Sequence, residues 1–456
     1  MVNKKQLEEC LYFHNPWWLR ESVPEELLEK FKRPVFDKIF SYLNLNRILI
    51  LKGPRRVGKT TLLYQLIDSL LKKGVQPKNI LFVSFDDPKV REDFDEIIKV
   101  YETIAGRTVR ENEKIYCFLD EVHFLPHWEF FVKKYFDKKY PIKFVVSGSA
   151  ATLIKKSSES LAGRTVEEII LPFNFFEYLL FKSKDKSKDE KLIAELKNRR
   201  KNFNLRKLPE PLSPPLEQIL KIHLKEYQKR GGFPHIFGVK KERLWFKLLY
   251  EDVIEKVIFK DLVELYDIRH PHLLERLLLY ASGISSQILN ISNIANSIDL
   301  SREYVELYLN YLENAYLLFT ISRYARTIEK QIRSPRKIHL IDSGLFHVLE
   351  KPAEGNIIES LIASHLRRYQ GEKIYYWRDK FEVDLVCLLK KTKTLIPIEV
   401  KIGDRIKRGE LSGLLGFMER YNQKFGLVAT NEKFEKIKLN GCEIGYIPYW
   451  YLAALL

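Results

Sequence analysis

Ile48-Leu49-Ile50-Leu51-Lys52-Gly53-Pro54-Arg55-Arg56-Val57-Gly58-Lys59-Thr60-Thr61 is the stretch on which the fold turns. The apolar run Ile48–Leu51 has the length and composition of a buried strand, and the positions from Lys59 to Lys73 have the period of an amphipathic helix. Between them Gly53–Thr60 fits G-x-x-x-x-G-K-[ST]. Glycines in such a loop let backbone N–H groups close around phosphates, and the helix that follows turns its positive end toward them. The expected nucleotide-contacting set is Gly53, Pro54, Arg55, Arg56, Val57, Gly58, Lys59, Thr60 and Thr61. Lys59 is expected to reach the β- and γ-phosphates and Thr60 to hold Mg²⁺.

Working outward, strands and helices alternate. Asn79–Phe85, Ile115–Leu119, Ile142–Val146 and Val166–Leu171 read as strands, and Val90–Ile104 and Trp128–Lys138 as helices, which implies a parallel sheet covered on both faces. Asp120 and Glu121 end the third strand. Asp120 is expected to hold Mg²⁺, and Glu121 to orient and deprotonate the attacking water. Ser147, ending the next strand, is placed to touch the γ-phosphate or that water, or to serve as a turn residue.

Bulk properties fit this reading. With 456 residues, 45% hydrophobic and 30% charged, the chain is expected to be globular and to hold several domains. Cys10, Cys117, Cys387 and Cys442 are scattered without C-x-x-C pairing, which points to reduced thiols and gives no support for zinc. Met1–Trp18 is polar and broken by Pro16, unlike a signal peptide, and no stretch is long and apolar enough for a bilayer. The expected location is the cytoplasm, with no membrane partner. The formal charge of +17 raises nucleic acid as a partner. It is concentrated in Lys182–Lys207, with eleven Lys/Arg against four Asp/Glu, and in Arg323–Lys337, with six against one.

Beyond the first sheet, Lys182–Pro215 reads as an exposed helical insertion and linker, and Leu216–Ser285 is helical in period. Helices at Ser292–Ser297 and Arg302–Ala315, then strands Leu317–Arg323 and Lys337–Ile341 around a basic loop, follow the order of a winged helix-turn-helix. Arg323, Arg326, Lys330, Arg333, Arg336 and Lys337 form the expected basic wing, suited to phosphate contacts with DNA of any sequence. The last hundred residues restart an α/β pattern with a helix at Ile357–Arg368 and strands at Ile374–Trp377, Val383–Leu389, Leu395–Val400 and Phe425–Ala429.

The chain resembles the archaeal and bacterial AAA-type ATPases whose P-loop reads G-P-R-R-x-G-K-T. The resemblance includes Asp120-Glu121-Val122, Trp128, Ser147-Gly148-Ser149, Leu161-Ala162-Gly163-Arg164, Pro172-Phe173, Gly231-Gly232-Phe233-Pro234, Lys260-Asp261-Leu262 and Asp342-Ser343-Gly344-Leu345. It implies ATP and Mg²⁺ as cofactors and allows a homo-oligomer. It also makes Arg164 a candidate for reaching a neighbour's γ-phosphate, with an intramolecular salt bridge as the alternative. Arg230 is a weaker candidate for a lid arginine, and His123 reads as packing.

The C-terminal piece in that family has an endonuclease-like core. Here Glu359 lies in a helix, Asp384 in one strand, and Glu399 and Lys401 on one face of the next. Such a cluster can hold Mg²⁺ or Mn²⁺ on Glu359, Asp384 and Glu399 and use Lys401 in the chemical step. The order resembles the PD-(D/E)xK nuclease superfamily. The expected fold class is α/β multidomain: an AAA-type P-loop parallel sheet, a helical and winged-helix region, and a small α/β restriction-endonuclease-like domain. The expected segments are 1–40 (extension), 41–175 (P-loop ATPase domain), 176–240 (charged insertion and helical lid), 241–352 (helical and winged-helix domain) and 353–456 (nuclease-like domain). Two functions fit: an ATPase acting on DNA, or an ATP-gated signalling or defence switch acting on a protein partner with an inactive C-terminal domain.

Overall fold

Ile48–Lys52 (β1) is buried at every position because it has a strand on each side and helices above and below. It lies between Ile142–Ser147 (β4) and Thr165–Ile169 (β5), beyond which come Ile115–Asp120 (β3) and, at the edge, Ile80–Ser84 (β2). All pairings are parallel, in the order β2-β3-β4-β1-β5. The register sets Leu51 beside Ser147 and Ser84 beside Asp120, so the functional residues gather at one end of the sheet. The computed structural model describes residues 3–91, 93–110, 113–148, 160–183, 187–403 and 406–456. Ser149 of the Ser-Gly-Ser motif lies outside them.

The chain divides into two units, Met1–Leu171 with Glu255–Ile268, and Pro172–Ile254 with Arg269–Leu456. The N-terminal segment, expected as an extension, belongs to the first unit, and its residues Asn15, Trp17 and Trp18 bond to the edge strand β2. The Asn15 side chain donates to Phe82 O at 2.8 Å and accepts from Phe82 N–H at 2.7 Å. The Trp17 and Trp18 indoles both donate to Ile80 O, at 3.2 and 2.9 Å. These bonds satisfy backbone groups that an edge strand otherwise leaves open.

In the second unit, several motifs of the resemblance meet in one structural knot. Asp342 accepts from Gly232 N–H at 2.8 Å and Gly344 N–H at 2.9 Å, and Phe173 N–H donates to Gly232 O at 2.7 Å. A Cβ on Gly232 would lie 2.0 Å from Phe173 O, so the close backbone approach requires glycine there. The charged stretch does hold a helix, but one apolar face of it is buried. Its helix Ser187–Asn202 buries Leu192, Ile193 and Leu196, and Arg200 donates to the carbonyls of Ala454 and Leu456.

Helices Ile291–Ile298 and Arg302–Asn314 precede the antiparallel hairpin Leu318–Ile321 (β6) and Lys337–Leu340 (β7). The loop between these strands carries the short helix Ile328–Arg333. A second, mixed sheet follows: Lys373–Arg378 (β8), Glu382–Leu389 (β9), Thr394–Lys401 (β10), Phe425–Thr430 (β11), Glu435–Leu439 (β12) and Cys442–Pro448 (β13). Its order is β12-β13-β11-β10-β9-β8. Strands β12 and β13 lie beyond those expected from the sequence; the charged alternation Glu435-Lys436-Ile437-Lys438-Leu439 is that of an exposed edge strand.

Candidate functional site

The loop after β1 takes its shape from three residues at positive φ: Gly53 at 154°, Arg56 at 64° and Gly58 at 91°. A Cβ on Gly53 would lie 2.0 Å from Ile170 O, so only glycine lets the loop leave the sheet here. Lys59 is buried and donates to Gly53 O at 3.2 Å and Pro54 O at 2.9 Å. Burial lowers its pKa, against the opposing pull of Glu121 and Asp120.

Two of the expected residues converge on the carboxylate of a third, Asp120. Thr60 Oγ1 donates to Asp120 Oδ2 at 2.8 Å, and Ser147 Oγ donates to Asp120 Oδ1. Burial first, and then the neighbouring Glu121 charge, push the Asp120 pKa up to about 6. A hydroxyl beside a carboxylate is a hard-oxygen donor set that suits Mg²⁺. Glu121 sits in the left-handed region at φ 48°, which turns its side chain out of the strand line, and His123 Nδ1 lies 3.3 Å from its Oε2. His123 therefore touches the proposed base as well as packing on Phe124.

Arg55, expected to face nucleotide, makes a bidentate pair with Asp261 at 2.5 and 2.6 Å. Asp261 belongs to the Lys260-Asp261-Leu262 motif, whose role was not legible in the sequence. Arg164 pairs with Asp137 of its own chain, Nε to Oδ1 at 2.7 Å and Nη2 to Oδ2 at 3.1 Å, which is the salt-bridge alternative. Arg230 donates to Val239 O and lies 3.7 Å from Glu226.

In the second unit, Glu359, Asp384, Glu399 and Lys401 do come together. Asp384 Oδ2 accepts from Val400 N–H at 2.8 Å, and Lys401 Nζ lies 3.6 Å from Glu399 Oε2. Two further members were missed. Lys337, a residue 1% exposed, places its Nζ 2.7 Å from Glu359, 2.8 Å from Glu382 and 3.8 Å from Asp384. Burial raises Glu359 to about 8 even with Lys337 beside it, and raises Glu399 well above the usual carboxylate range, with Asp384 adding to the shift. Burial disfavours the Asp384 anion too, but Lys337, then Glu399, Lys401 and the Val400 N–H, hold its pKa below normal.

The expected three-carboxylate metal site is therefore arranged differently. Among the described residues, Glu359, Asp384 and Glu399 do not all bring oxygens within 4.8 Å of one another, whereas Cys10, His14 and Asp87 do bring ligand atoms that close. The expected basic wing also changes. Lys337 is in the acidic cluster, Arg336 pairs with Glu306 and Glu313, and Arg323 and Arg326 donate to the carbonyls of Arg378 and Arg420. Lys330 and Arg333 remain exposed on the loop helix, with Arg333 3.0 Å from Glu329.

Residues 45–179 match a family model described as an AAA domain. Residues 221–354 and 354–450 match two models described as domains of unknown function (DUF8612 and DUF4143). Three uncharacterised proteins are similar over most of their length. Two are from Methanocaldococcus jannaschii, 27% and 26% identical, covering 89% and 91% of this chain and 88% and 86% of theirs. The third, from Haemophilus influenzae, is 24% identical over 91% of this chain and 97% of its own. The solved structure of C. elegans PCH-2 aligns with 60% of this chain and 67% of its own at 16% identity, with a TM-score of 0.24, too low to bear on the fold. No helix among the described residues is long and apolar enough to cross a membrane. The parallel five-stranded sheet and its phosphate loop lie within residues 45–179, the segment that is similar to the AAA-domain family.

Proposed function

We propose that the chain binds and hydrolyses ATP with Mg²⁺. The observation that carries this is the convergence of Thr60 and Ser147 on Asp120, three residues brought from separate segments to one end of the sheet. Lys59 and the loop N–H groups hold the phosphates, and Thr60 and Asp120 hold the metal ion, which offsets charge on the phosphates. Glu121, oriented by His123, accepts the proton of the attacking water. The water oxygen bonds to the γ-phosphorus while the bond to the bridging oxygen breaks and ADP leaves with the electron pair. Lys59→Ala should abolish nucleotide binding. Glu121→Gln should keep binding and lower turnover roughly 10²–10⁴-fold, the usual contribution of a positioned base. Wild-type turnover in Glu121→Gln would remove Glu121 from that role.

We read the C-terminal cluster as nuclease-like in its layout and non-cleaving in this arrangement, because Lys337 provides the positive charge that a metal ion would otherwise supply. For the partner, the loop between β6 and β7 favours protein over DNA. Its helix presents Ile328 and Ile332, 75% and 76% exposed and one turn apart, and of the three exposed bases of the loop, Arg326, Lys330 and Arg333, the first already donates to Arg420 O and the last lies 3.0 Å from Glu329. DNA binding would appear as an affinity falling steeply with salt for any sequence. Such a slope, or cleavage of linear, single-stranded or branched DNA with Mn²⁺, would restore the DNA-acting alternative.

A further inference from the structure

Cys10 and His14 lie one turn apart on the buried face of the helix Lys4–His14. Asp87 caps the turn Pro88–Val90, just beyond β2, and directs its carboxylate at both. The three donor atoms form a triangle: Sγ to Oδ2 3.2 Å, Sγ to Nε2 3.8 Å and Nε2 to Oδ2 3.7 Å. Zinc bonds of about 2.3 Å to sulfur and about 2.0–2.2 Å to nitrogen and oxygen give tetrahedral edges of roughly 3.3–3.6 Å. The triangle is close to one face of that tetrahedron with little movement of any side chain.

We propose that Cys10, His14 and Asp87 form a binding site for a divalent transition metal of the zinc class. The thiol selects against Mg²⁺ and Ca²⁺, which take oxygen ligands. The scaffold is held in advance: Asn15, next to His14, is locked on both sides of the Phe82 peptide, so the helix cannot swing away from the strand that leads to Asp87. The charges also balance. The thiol proton, which Cys10 donates to Asp87, leaves to solvent on binding. One thiolate and one carboxylate then neutralise a dication in a largely buried place. The Asp87 side chain is 28% exposed, which leaves the fourth position on the solvent side for water. Phe85 N–H bonds to Asp120 O at 3.0 Å, so the metal would clamp the N-terminal helix to the segment running beside the nucleotide site.

The test uses the full-length chain, reduced and freed of metal, titrated with Co²⁺ alone in the absence of nucleotide. The expected result is a sulfur-to-cobalt absorption band that saturates at one equivalent, releases one proton and is displaced by Zn²⁺. Cys10→Ser should lose the band while keeping its circular dichroism. Asp87→Asn, a milder change at a partly exposed position, should keep the band and weaken binding on the order of tenfold or more. No band in the wild-type chain, or an unchanged band in Cys10→Ser, would overturn the site and leave an ordinary thiol-to-carboxylate hydrogen bond. ATP turnover does not enter the readout.

Discussion

The ammonium of Lys337 lies 2.7 Å from the Glu359 carboxylate, with only 2% of the lysine side chain exposed. An ammonium this buried persists because its charge would be expensive to leave alone, and burial keeps Glu359 itself largely protonated at neutral pH. Two more acids, Glu382 and Asp384, share the same lysine. Lys337→Met should therefore destabilise the second unit by about 3–5 kcal/mol, the usual cost of stripping one partner from a buried pair. It should also create a site at which millimolar Mn²⁺ raises the denaturation midpoint more than it does for the wild type. Equal responses to Mn²⁺ would mean that Lys337 does not stand where a cation would bind.

Arg55 and Asp261 tie the phosphate loop to a segment far along the chain. Arg55→Ala and Asp261→Ala should each lower the stability of the first unit, and the double variant should be little worse than either single one. A coupling energy of about 1.5–3 kcal/mol in the double-mutant cycle is expected for a charge-assisted bidentate pair. Additive losses would show the contact to be incidental.

Arg164 is satisfied by Asp137 within its own chain. Arg164→Ala should leave turnover within twofold of wild type, and turnover per chain should not depend on protein concentration. A tenfold fall in turnover with intact nucleotide affinity, in a wild type whose turnover rises with concentration, would place this arginine in a neighbour's site instead.

His365 accepts from Phe175 N–H through Nε2 at 2.9 Å, with Nδ1 bonded to Leu361 O at 2.8 Å, an arrangement only the neutral ring can make. Burial lowers its pKa from 6.5 to about 3, with Arg368 adding to the shift. At neutral pH the ring is uncharged in the folded chain and mostly uncharged in the unfolded one. Below pH 6.5 only the unfolded chain takes up the proton, so stability falls as pH drops toward 3, by up to about 1.4 kcal/mol per pH unit from this group. His365→Gln should flatten the fall between pH 6 and pH 4.5 in chemical denaturation. Parallel wild-type and variant curves would assign the acid sensitivity to other groups.

The first sheet and its loop were legible because their signals are local. An apolar run, a glycine loop and a helix follow one another within Ile48–Lys72, and β3 and β4 end in an acid and a hydroxyl, Asp120 and Ser147. The second half was legible only in part. Glu359, Asp384, Glu399 and Lys401 could be found because charges inside apolar strands demand partners. Lys337 was counted as a surface base because net charge along a segment says nothing about which face of β7 each residue takes. Cys10 and His14 show a C-x-x-x-H spacing that fits one helix face, but Asp87 is 77 residues beyond Cys10, and nothing short of the fold brings it there.

The order of synthesis gives the divided first unit a further meaning. Its phosphate loop leaves the ribosome long before Glu255–Ile268, which carries the partner of Arg55 and belongs to the same unit. Between those two moments the chain must make Pro172–Ile254, the first part of the other unit. Domains tend to fold as units during synthesis, so a nascent chain stalled before residue 255 should hold the sheet with its loop arginine still lacking Asp261. Nucleotide should rescue such a chain poorly from proteolysis, and well once residue 268 has emerged. Truncations and fusions that cut between these points would separate a functional unit from its own last segment.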